Sequence, residues 1–154
     1  MRRPADLLSR RTHLLALALA AGALVAVACG GQAAGAGDRP AVRLEVRYSD
    51  GAGSQKGGRL RCDDGDGRAT GFLRRRPVRR LCRVARERAG LLASVPDTSR
   101  PCTEVYGGPD RARITGRVGS RAVDRRFARA DGCQIADWDR AQPLLPRPRG
   151  ADAP

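Results

Sequence analysis

The most regular pattern in the chain is "VRLEVRYS", residues 42–49, where Val42, Leu44, Val46 and Tyr48 alternate with Arg43, Glu45 and Arg47. A period of two, rich in β-branched residues, predicts a half-buried strand. "GAGSQKGG" then reads as a turn and "RLRC" (Arg59–Cys62) as a short return strand, which makes a hairpin. From Pro77 the period changes. Val78, Leu81, Cys82, Ala85, Ala89 and Leu92 recur at steps of three and four, while Arg79, Arg80, Arg83, Arg86 and Arg88 fill the other face. That pattern predicts a helix with Pro77 in its first turn, its apolar stripe laid on the sheet. Ala112, Ile114 and Val118, followed by Val123 and Phe127, read as two more strands joined around Gly119–Ser120. "QPLLPRPRGADAP" has no period and many prolines, so residues 141–154 are expected to be a disordered tail. The sum is one α+β domain, residues 41–140, with an antiparallel sheet and one or two helices.

The start of the chain is set apart before any fold argument. "MRRPADLLSRRTH" is basic and Leu14–Ala28 is a continuous apolar run, the pattern of a secretory signal over residues 1–28. The run is shorter than the roughly 20 residues of a spanning helix and ends in small residues. Arg10–Arg11 resemble a twin-arginine export signal, with His13 where a bulky apolar residue is usual. "AVACGG" looks like a bacterial lipoprotein box, so Cys29 is expected to carry lipid and residues 29–40 to form a flexible tether. The expected location is secreted, or held on the outer face of the cell membrane through that lipid.

Charge and cysteines change the picture further. The net charge is +14, and removing residues 1–28 takes away four Arg and one Asp, leaving +11. Nearly all of it is Arg, with Lys56 the only lysine. Five cysteines in an exported chain leave one over. With Cys29 lipidated, Cys62, Cys82, Cys102 and Cys133 remain for two bridges, with three connectivities open. Local pairing is the simplest: Cys62–Cys82 would fasten the helix to the first hairpin, and Cys102–Cys133 would pin the intervening loop.

Catalysis is not expected. The single histidine, His13, lies in the signal, which removes His-dependent triads and His metal sites together. Lys56 sits in a Gly-rich turn where a Ser–Lys dyad is improbable. The acidic loop "DDGDGRATG" (Asp63–Gly71) invites calcium, but Arg68 falls where an oxygen ligand is wanted and no Glu closes the loop. Neither metal nor cofactor is expected. "RRRPVRR" (Arg74–Arg80), continued along the helix, would suit anionic lipid or wall polymers. Nucleic acid is not expected, because no aromatics are interleaved with the arginines.

One stretch resists all these readings: "RPCTEVYGGPD", residues 100–110, is neither a good helix nor a good strand. The order Cys62, Cys82, then "CTEVYGGP" (Cys102–Pro109), a hairpin from Thr115 to Phe127, then Gly132–Cys133, resembles the bacterial subtilisin inhibitor family over residues 41–140. The resemblance implies a five-stranded antiparallel sheet with helices on one face, local cystine pairing, and a protruding reactive loop that begins at Cys102. It carries Thr103 to the position before the specificity residue, Glu104 to the specificity residue, Val105 to the far side of the attacked bond, and Tyr106 to the family's tyrosine. The implied partner is an extracellular serine protease, subtilisin-like or Glu-specific, with membrane contact only through the lipid anchor. Pairing into a homodimer is left open. The chain departs from the family twice. Met, Lys or Arg is usual where Glu104 stands, and an Asp-Pro pair follows the tyrosine where this chain has Gly107–Gly108–Pro109. The rival reading keeps the fold without inhibition, as a basic lipoprotein that binds the cell envelope.

Overall fold

The alternation at residues 42–49 becomes the central strand of the domain. The computed structural model describes residues 39–97 and 99–148, so the expected signal, Cys29 and most of the tether lie outside the described residues. Strands β1 (Val42–Ser49), β2 (Gln55–Cys62), β3 (Gly67–Ala69), β4 (Arg111–Val118) and β5 (Arg121–Phe127) form an antiparallel sheet in the order β3-β2-β1-β4-β5. Helices α1 (Val78–Glu87), α2 (Ala89–Ala93) and α3 (Gly132–Arg140) supply buried Leu81, Leu92 and Trp138 to a core that also takes Val42, Leu44 and Val46 from β1. The α+β fold with a five-stranded antiparallel sheet is as expected, and both cystines pair locally, Cys62 with Cys82 and Cys102 with Cys133. Two disulfides in so small a domain belong to an oxidising compartment. No helix among the described residues is long and apolar enough to cross a membrane.

The boundaries differ from the sequence reading in five places, each with a local cause. Strand β2 begins at Gln55, inside the expected turn, because the Asp50 carboxylate accepts from the Ala52 and Ser54 amides at 2.9 and 3.0 Å and closes the turn early. Gly58 then lies opposite Val46, and a Cβ there would come within 3.0 Å of Leu73, so the glycine makes room for core rather than for a bend. The acidic loop contains β3, a strand of three residues too short to show a period. The expected helix is two, broken at Arg88, whose backbone leaves helical geometry at φ −101°, ψ 14°.

Beyond the second hairpin, "GCQIADWDR" forms α3, which the sequence reading left unassigned. The expectation of a disordered tail is corrected for residues 141–148. Ala141, Leu144 and Leu145 are fully buried, and Arg76 donates to the Pro143 and Leu145 carbonyls, the latter at 2.8 Å. Prolines had masked a non-periodic segment that packs through two adjacent leucines. Residues 149–154 lie outside the described residues.

The register also fixes what the uncovered face of the sheet carries. One cross-strand row reads Arg68, Arg61, Arg43 and Arg117, and a second, two residues along, reads Arg59, Glu45, Thr115 and Asp124. A third reads Gly57, Arg47, Arg113 and Arg126.

Candidate functional site

The loop of residues 100–110 runs from the α2 side of the domain to the start of β4, and it is fixed at two points. The first is the start of α3. Asp131 caps that helix, accepting from the Gln134 amide at 2.8 Å and from Gln134 Nε2 at 2.6 Å, which holds the first turn in place. An uncapped helix start leaves several N–H groups without partners. Here Gly132 gives its amide to the Thr103 carbonyl at 3.0 Å, and the adjacent Cys133 is bonded to Cys102. A Cβ at residue 132 would overlap Thr103 Oγ1, so any side chain here forces Thr103 to shift.

The second point is Gly107. Its amide donates to the Arg129 carbonyl at 2.8 Å, and Arg129 Nε donates back to the Gly107 carbonyl at 2.9 Å. Arg129 is itself held: its side chain is 13% exposed, its guanidinium lies over the Trp138 ring at 5.9 Å, and Nη1 is 3.7 Å from Asp139. A Cβ on Gly107 would come within 2.8 Å of Ile135. The Gly107–Gly108 pair is therefore a fitted contact at its first residue, while Gly108 takes the left-handed turn at φ +116°.

Two further contacts close the loop onto the core. The buried Asp110 accepts from the Tyr48 hydroxyl, and Tyr48 meets Trp138 edge to face at 6.2 Å. Pro109 packs on the β1–β2 turn at Gly51.

Between the fixed points stand Glu104, Val105 and Tyr106. Val105 is 58% and Tyr106 67% exposed, two neighbouring apolar side chains turned to solvent. Glu104 is exposed too, and among the described residues no hydrogen bond or ion pair ties any of the three to the rest of the domain. The structure thus brings Cys102 to Tyr106 together as one presented segment. Sequence reasoning missed Arg129, Asp131 and the Tyr48–Asp110 contact. Only Gly132 had a signal, as half of the Gly-Cys pair.

The other candidates sort themselves by their partners. On α1, Arg79, Arg80 and Arg88 are exposed and Arg83 is 3.8 Å from Glu87, whereas Arg86 donates to the Pro40 carbonyl at 2.8 Å and ties the helix to the strand entry. Lys56 lies 5.9 Å over the Tyr48 ring. In the acidic loop, Asp63 is 3.8 Å from Arg43 and Asp64 accepts from the Arg39 amide. Cys102, Asp131 and Cys133 are the one close group of metal-type ligands among the described residues, and its two sulfurs are spent on each other. A cleft of about 1130 Å³ lies beside the loop, walled by Val95, Phe127 and the buried Arg125. Arg125 is committed to structure there, bridging Asp137 at 2.6 Å and the Ser94 carbonyl at 3.0 Å.

No protein-family model matches the chain, and no curated protein matches it.

Proposed function

We propose that the domain is an exported serine protease inhibitor that presents Glu104–Val105 as a substrate-like bond. One observation carries the reading: the chain is tied on both sides, at Thr103 and at Gly107, and the three residues between are exposed and untied. A serine protease accepts its substrate as a strand laid along its cleft, so a segment already held in place binds without the ordering cost of a flexible peptide. Cys102 lies two residues before Glu104. If the protease cuts Glu104–Val105, the Cys102–Cys133 bridge keeps the new carboxyl end on the domain, and the Arg129 contacts keep the new amine beside it. Resynthesis then competes with release, and the protease stays occupied.

In this reading the protein has no catalytic role of its own, residues 1–28 direct export, and lipid at Cys29 with the tether of residues 29–40 holds the domain at the outer membrane face. The target is an extracellular serine protease of subtilisin-like or Glu-specific type. A carboxylate entering an apolar or acidic pocket loses water without a compensating charge, which costs several kcal/mol. Trypsin-like and chymotrypsin-like enzymes should therefore be poorly inhibited. The test is to change that one side chain. Glu104→Lys should create trypsin inhibition, and Glu104→Met should strengthen binding to subtilisin. If neither gains inhibition while circular dichroism shows a folded domain, the loop is not substrate-like and the non-inhibitory reading replaces this one.

A further inference from the structure

We infer that the uncovered face of the sheet is a docking surface for an anionic lipid bilayer, separate from the loop and additional to any lipid anchor. The rows described above, with Arg111 opposite Ser49 at the strand end, put nine arginines on this face against Glu45 and Asp124, with Asp63 of the adjoining loop 3.8 Å from Arg43. The carboxylates are already used: Glu45 lies 2.9 Å from Arg47 and 3.8 Å from Arg59, and Asp124 lies 2.6 Å from Arg113. Arg61, Arg68 and Arg126 have no ion-pair partner among the described residues, and all three are exposed.

The kind of partner follows from what the face lacks. It carries no aromatic and no long apolar side chain, only Ala122, Thr115 and glycine between the charges. Protein interfaces need an apolar or aromatic centre, and single-stranded nucleic acid needs stacking platforms, so both lose their usual source of affinity here. A second copy of the same face would set like charge against like. A linear polyanion would follow one file of arginines, whereas these spread in two dimensions over about 20 by 20 Å, judged from strand spacing and rise. A plane of headgroups is the surface that engages all of them at once, and it binds by charge alone. The loop residues Cys102 to Gly107 belong to none of these rows.

The measurement is co-sedimentation of the full chain carrying Cys29→Ser with vesicles of phosphatidylglycerol and phosphatidylcholine, referred to pure phosphatidylcholine vesicles to subtract any contribution of the apolar N-terminal run. Binding to the anionic vesicles should exceed the reference and fall to it as salt rises from about 0.05 to about 0.5 M. Replacing Arg43, Arg61 and Arg117 by Gln should weaken binding about 100-fold. Replacing Arg79, Arg80 and Arg83 on α1, the helix that packs on the covered side, should weaken it less than about tenfold. The inference is overturned if the wild-type chain shows no excess over the reference, if the two triple variants lose binding equally, or if a soluble polyphosphate or single-stranded DNA at equal charge competes the chain off the vesicles completely. The wild-type salt series decides the matter even if a variant misfolds.

Discussion

Arg129 is the residue on which the proposed inhibitor loop most depends, and Arg129→Met isolates its contribution. The substitution keeps an unbranched stem of similar length against Trp138 but removes the Nε bond to the Gly107 carbonyl and the guanidinium over the indole ring. A hydrogen bond from a charged donor is worth about 1.5–3 kcal/mol, and a partly buried cation–π contact adds about 0.5–2 kcal/mol. The pairing with Asp139 at 3.7 Å adds little, because that carboxylate is mostly exposed. The backbone bond from the Gly107 amide to the Arg129 carbonyl survives, so part of the loop's order survives with it. A loss of about 2 kcal/mol in holding residue 107 is then expected, which corresponds to about a 30-fold weaker inhibition constant. The assay is tight-binding titration against a Glu-specific protease, run beside mass spectrometry of Glu104–Val105 cleavage. Arg129→Met should bind more weakly and be cleaved faster, and Arg129→Lys, which keeps a charged donor, should recover part of both. Unchanged inhibition and unchanged cleavage in a folded Arg129→Met domain would refute the claim that this brace holds the loop.

Other substitutions probe the remaining supports. Gly132→Ala forces a Cβ onto Thr103 Oγ1 and should weaken inhibition by about tenfold or more, with Thr103→Ala restoring it in the double variant. Arg125→Met strips Asp137 of its buried partner, leaving it the half-exposed Arg140, and frees the segment at Ser94, so urea unfolding should show a loss of about 2 kcal/mol. Adding Asp137→Leu should recover part of that loss, since the carboxylate that had lost its buried partner is then gone and Arg140 is left with its side chain half in water. The hydrogen bond from Arg113 holds the Asp124 carboxyl below the usual Asp range. A folded carboxyl with a lowered pKa favours the native state above the unfolded pKa, and that contribution fades as pH falls through the folded value. NMR titration should place Asp124 below a free Asp and return it toward the ordinary value in Arg113→Gln.

Much of the fold was legible because its strongest elements repeat with a clean period. Val42 to Tyr48 and Val78 to Ala85 announce a strand and a helix without help from tertiary contacts, and local pairing was the simplest of the three connectivities open to the four cysteines. What escaped notice has a common physical cause. β3 is three residues long, the packed tail relies on adjacent Leu144 and Leu145 rather than on spacing, and α3 depends on the Asp131 cap and on a buried Trp138 to outweigh its weak apolar stripe. The candidate site divides in the same way. Cys102 to Tyr106 could be picked out as a segment with no structural explanation of its own. Arg129 could not, because nothing in "RRFARADGC" separates an arginine that holds a carbonyl from one that faces water. The cationic sheet face was hidden for the opposite reason: its arginines come from five separate strands, and only the register puts them side by side.

The central claim is that a protease meets Glu104–Val105 as a bond it can bind but not easily release. The most direct measurement is titration of the purified chain against a Glu-specific protease, subtilisin, trypsin and chymotrypsin, with the chain recovered from each mixture and analysed under non-reducing and reducing conditions. Stoichiometric inhibition of the Glu-specific enzyme is expected, weaker inhibition of subtilisin, and little of the other two. The recovered inhibitor should be intact or cut once, between Glu104 and Val105, with the fragments joined until Cys102–Cys133 is reduced. Full activity of all four proteases, or rapid cutting of the loop as an ordinary substrate with no inhibition, would contradict the account.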